Sequence, residues 1–120
     1  KHVDVSVLLG KTLAKIENID NESLLFHTND GEIYKMFHEQ DCCESVWVED
    51  IAGDLENLIG EPMLMAEETS NSEFVKQDSI TWTFYKFATV KGYVTIRWCG
   101  VSNGYYSESV DFVIVKRGVQ

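Results

Sequence analysis

Three short turn signals punctuate this chain: Asn29-Asp30-Gly31, Lys91-Gly92 and Asn103-Gly104. Each lies between runs rich in alternating apolar residues. Turns this tight join antiparallel neighbours, because parallel strands need a long crossover. The C-terminal third is the most regular. "SITWTFYKFATV" sets Ile80, Trp82 and Phe84 against Thr81, Thr83 and Tyr85. "YVTIRWCG" puts Val94, Ile96 and Trp98 opposite Tyr93, Thr95, Arg97 and Cys99, and "SVDFVIVKR" turns Val110, Phe112 and Ile114 inward. Strands joined in this way form a meander.

The N-terminal half carries the same pattern more loosely. "ESLLFHT" and "EIYKMFH" flank the first turn, with Ile33 and Phe37 on one face and Tyr34, Met36 and His38 on the other. "KTLAKIEN" reads as a strand with a bulge; "SVWVEDI" and "MLMAEE" read as further strands. "DVSVLLG" reads as a short helix with Asp4 as its N-cap and Gly10 as its stop, a strand being the alternative, and "AGDLENLIG" as a short helix begun by Asp54 or the turn before it and stopped by Gly60, with Pro62 confirming the stop. The polar stretch 69–79 reads as a loop. The expected architecture is α+β: a single domain over 1–120, with one curved antiparallel β-sheet, a meander with tight hairpins, plus one or two short helices.

At 120 residues, 44% of them hydrophobic, the chain can fill one core unaided. Its three cysteines are odd in number and two are adjacent, a poor disulfide framework, so reduced thiols are expected. No apolar run reaches the roughly 18 residues of a membrane helix, and no basic stretch precedes an apolar one at the N-terminus.

Formal net charge is −10, and its distribution is uneven. Between Met36 and Val75 there are eleven Asp or Glu and no Lys or Arg, whereas the remainder holds nine acids and ten bases. Such a field repels nucleic acid phosphates and draws in basic protein surfaces or cations. The partner-facing candidates are Glu39, Glu44, Glu49, Asp50, Asp54, Glu56, Glu61, Glu67 and Glu68. A solvated surface that aids solubility is the plainer alternative. Glu49–Asp50 and Glu67–Glu68 could together hold Mg²⁺ or Ca²⁺, against the plainer reading of charged strand edges.

"HEQDCCE", residues 38–44, concentrates imidazole, carboxylate and thiol. His38, Asp41, Cys42 and Cys43 supply the ligand types of a tetrahedral zinc site, with His27 or Cys99 as further donors. Adjacent cysteines reach one ion less easily than a Cys-x-x-Cys pair. The rival reading buries both thiols as small hydrophobes beside a hydrogen-bonded histidine. A thiol nucleophile would need a base and an oxyanion site; His38 could be the base, and nothing nominates the rest.

"YKMFHEQDCCESVWVEDIAGDLENLIGEPMLMAEE", "TWTFYKFATVKGYVTIRW" and "SNGYYSESVDF" resemble a family of small uncharacterised proteins of bacteriophages and prophages. The similarity covers nearly the whole chain, and "HEQDCCE" and "GDLENLIG" are its most specific parts. It takes in His38, Gln40, Asp41, Cys42, Cys43, Glu44, Glu49, Asp50, Asp54, Glu67 and Glu68. Cys99 departs from it, standing where an aromatic residue is expected. The resemblance implies no catalytic activity. It implies a non-enzymatic, anti-CRISPR-like inhibitor of a host defence nuclease in the host bacterial cytoplasm. Its partner would be a basic host protein, such as an RNA-guided nuclease, met through the acidic segment without direct nucleic acid or membrane binding, and zinc would shape that segment. A small metal-dependent enzyme acting on a nucleotide or signal molecule is the alternative, and a phage assembly subunit the third.

Overall fold

A computed structural model describes residues 2–118. The strands are β1 (Leu13–Ile19), β2 (Ser23–Thr28), β3 (Ile33–Phe37), β4 (Ser45–Ala52), β5 (Met65–Val75), β6 (Asp78–Thr89), β7 (Gly92–Ser102) and β8 (Asp111–Lys116). They form two open antiparallel sheets, ordered β1-β2-β3-β8 and β4-β7-β6-β5. This corrects the expected single curved sheet. The helical content among the described residues is two 3-10 turns, Val5–Leu8 and Leu55–Leu58. Asp4 and Asp54 cap them by accepting from the amides of Ser6 and Glu56. No described helix is long and apolar enough to cross a membrane.

The sheets pack face to face because each presents one apolar side. Phe26 of β2 meets Phe87 of β6 at 5.7 Å between ring centroids and Phe112 of β8 at 5.8 Å. Tyr34 stacks on Phe112 at 5.5 Å. Trp98, wholly buried on β7, donates its indole N–H to the Met36 sulfur of the other sheet at 3.3 Å. Each large side chain removed from water in this way contributes about 1.5–3 kcal/mol.

Two expectations fail here for identifiable reasons. Residues 69–75 are strand, not loop: β5 pairs with β6 from Met65↔Ala88 to Val75↔Asp78 without a register shift. Its side chains from Glu67 to Val75 are all exposed, so burial imposes no apolar alternation on them. Asn103-Gly104 does turn the chain, with Gly104 at φ 89°. It does not close a hairpin, because the chain leaves β7 in one sheet and enters β8 in the other.

The chain therefore passes between sheets twice, through 38–44 and through 103–110. Phe37 pairs with Asp111 in one sheet and Ser45 with Val101 in the other. Both passages thus lie at the same end of the molecule.

Candidate functional site

The first passage is the "HEQDCCE" stretch. His38 and Glu44 lie at its two ends, and their side chains are 5% and 0% exposed. His38 Nε2 donates to Glu44 Oε2 at 2.6 Å, and Nδ1 donates to the Ser109 carbonyl at 2.7 Å. Both ring nitrogens face acceptors, so both bonds form together only when the imidazole carries two protons. The Glu44 carboxylate also accepts from the amides of Asp41 (2.8 Å) and Cys42 (3.0 Å). The His38 hydrogen bond and then these amides hold the Glu44 carboxyl down at about 2. Gln40 closes the loop by donating to the Cys42 and Glu44 carbonyls.

The second passage carries a carboxylate of its own. Glu108 is 7% exposed and accepts from Ser79, Thr81 and Ser102 hydroxyls. Glu39 N donates to Asp111 at 2.9 Å, a further tie between the passages. A cleft of about 610 Å³ opens beside the first one, lined by Glu22, Lys35, Phe37, His38, Gln40 and Trp47 among others.

The four residues expected to ligate zinc do not come together as a set. Both nitrogens of His38 are engaged, and Cys42 and Cys43 are bonded to each other, which corrects the expectation of reduced thiols. Among the described residues no three His, Cys, Asp or Glu side chains converge on a point that could hold an ion. Of the proposed further donors, His27 is bound to Glu17 at 2.8 Å, and Cys99 is buried. Burial pushes the Cys99 thiol up, away from the reactive thiolate.

The acids expected on one face are divided. Glu44 is enclosed, and Asp54 is engaged as a helix cap. Glu49 and Asp50 lie on β4 and Glu67 and Glu68 on β5, which are opposite edges of the second sheet. Glu49 is paired with Arg97 of the intervening β7. Glu56 belongs to the second 3-10 turn, with Glu61 just beyond it, whereas Glu39 sits at the passage end. Partial desolvation, with Asp4 adding repulsion, raises the Glu68 carboxyl. The segment is acidic in sequence, but in space it rims one sheet.

Sequence reasoning missed Glu108 and Ser109, which carried no motif. It also missed the β5 stretch 69–75, although Thr at 69 and Phe-Val at 74–75 are residues strands favour.

The structure thus defines a two-sheet antiparallel domain fastened at one end by buried carboxylates. The chain belongs to the family described as Domain of unknown function (DUF7448), whose model matches residues 6–112. No curated protein and no solved structure matches it.

Proposed function

We propose that the protein is a non-enzymatic binding protein that docks a partner with a basic surface through the rim of its second sheet. One observation carries this reading. The edge strands β4 and β5 bear Glu49, Asp50, Glu67, Glu68 and Glu73 and no Lys or Arg. In the first sheet, β1, β3 and β8 each carry a lysine. Charge segregated in this way steers a basic partner to one sheet.

Inhibition of a host defence nuclease in the bacterial cytoplasm is the narrower form of this proposal, and an RNA-guided nuclease is its first partner to test. Such enzymes hold nucleic acid in basic channels. The test titrates the protein against a purified RNA-guided nuclease and follows guide or target loading by mobility shift. Loading should fall, and reversal of Asp50, Glu67 and Glu73 to lysine should restore it. Unchanged inhibition by the reversed variant would sink the proposal, as would loading that the native protein does not affect.

A further inference from the structure

A sheet edge exposes a row of backbone donors and acceptors that can recruit another strand, and folded proteins commonly guard it. Among the described residues there are four such edges, and three are guarded. β1 is bulged between Leu13 and Lys15, and Gly60 N donates to the Leu13 carbonyl. β4 is bulged between Val48 and Asp50, and Val48 N is taken by the Asn21 carbonyl. β8 has six residues and is bridged by His2 and Val3.

β5 is different. It runs 11 residues, "MAEETSNSEFV", without bulge, proline or lysine. The first 3-10 turn lies against it. From Thr69 to Val75, among the described residues, no backbone bond is made except to β6. That is roughly 23 Å of open edge at about 3.3 Å per residue. Phe74 and Val75 close it with apolar surface, 72% and 45% exposed.

We propose that the β5 edge from Thr69 to Val75 accepts an extended, lysine- or arginine-bearing segment of a partner protein as a fifth strand of the second sheet. The inference rests on the basic-partner reading above and places the contact. Backbone pairing supplies attachment in this mode, and alternate side chains supply selectivity. Glu67 and Glu73 are an even number of residues apart and project from the same face, on either side of Thr69 and Asn71. Lys86 lies across from Glu67, but Glu73 lies across from Ile80. None of Glu67, Glu68 and Glu73 is in an ion pair among the described residues. A second copy would bring the same acids and its own charge of −10 to the same edge, so a foreign basic strand is the complementary occupant.

The experiment uses the full chain with two synthetic probes: a peptide alternating threonine and lysine, and its counterpart with glutamate for lysine. Hydrogen exchange should show new protection within 69–75 with the lysine peptide and none with the glutamate peptide. Adjacent strand residues point their N–H groups in opposite directions, so one of Ser70→Pro and Asn71→Pro spares the β5–β6 ladder. The variant that keeps its circular dichroism should bind the lysine peptide about tenfold or more weakly. If both lose their fold, exchange in the unaltered protein decides. Binding with protection elsewhere, or unweakened in the folded proline variant, would overturn the edge assignment and leave the basic-partner reading standing. Failure of the lysine peptide to bind at low salt would overturn both. Concentration-dependent self-association that protects 69–75 without peptide would make the occupant a second copy and overturn the proposal as stated.

Discussion

The imidazole of His38 spans the two passages of this fold, donating to Glu44 Oε2 at 2.6 Å and to the Ser109 carbonyl at 2.7 Å. One ring thus ties the β3–β4 connection to the β7–β8 connection, 71 residues further along the chain. His38→Ala should therefore lower the urea midpoint and speed amide exchange in both 38–44 and 103–110, and unchanged exchange in either passage would contradict the geometry.

Glu44 supplies a pH dependence with a definite sign. Its carboxyl is depressed from an ordinary value of 4.5 to about 2. A depressed carboxyl stabilises the fold fully above its unfolded value, and that contribution is lost as pH falls through its folded value. The native protein should lose stability between about pH 5 and pH 2 more steeply than a Glu44→Gln variant. Urea midpoints across that window measure the difference, and parallel curves would remove Glu44 from the account.

The cysteines make a sharp contrast with this pair. Cys42 contributes its amide to Glu44, and both side chains lie at the surface. Their bond joins neighbours and closes the shortest of loops, so it constrains the unfolded chain little, and replacing both with serine should keep the passage intact and change stability by less than about 1 kcal/mol. A folding loss of several kcal/mol, with stoichiometric zinc in the native protein by elemental analysis, would restore the ligand reading of Cys42 and Cys43.

At Gly100 the second passage lies directly against β7. A β-carbon there would meet Glu108 Cβ at 2.6 Å and Val46 Cγ2 at 3.2 Å. Gly100→Ala should cost about 1–3 kcal/mol and loosen 103–110, detectable as faster amide exchange there. Unaltered exchange in that segment would mean that Glu108 is not held as described.

Phe87 joins the sheets at their centre through Phe26. Phe87→Ala should remove about 3–5 kcal/mol, read from thermal or chemical unfolding.

Much of this architecture was legible residue by residue. Val94, Ile96 and Trp98 face the core as their alternation requires, and Asp4 and Asp54 begin the two helical turns. What was not legible depends on distance. A turn such as Asn103-Gly104 reports the local backbone, but the hydroxyls of Ser79, Thr81 and Ser102 draw Glu108 in, and with it the passage to the other sheet. The division into two sheets rests on pairs such as Phe26 and Phe87, 61 positions apart, which no local period encodes. The acidic run misled for a similar reason. A strand that crosses one edge and returns along the other separates charges that are close in sequence, and Glu44 is taken out of water by a histidine six residues earlier.

The two sheet-to-sheet passages lie at one pole of the molecule. At the other pole the sheets are tied by backbone bonds, Gly60 N to the Leu13 carbonyl and Met63 N to the Lys11 carbonyl, and the chain doubles back at Asn29–Gly31 and at Val90–Lys91, where Val90 stands 72% exposed. Foreign chain spliced in beside Val90 would ride clear of the joint, whereas the same insertion beside Gln40 would pry it open, so fusions and labels belong at the far pole.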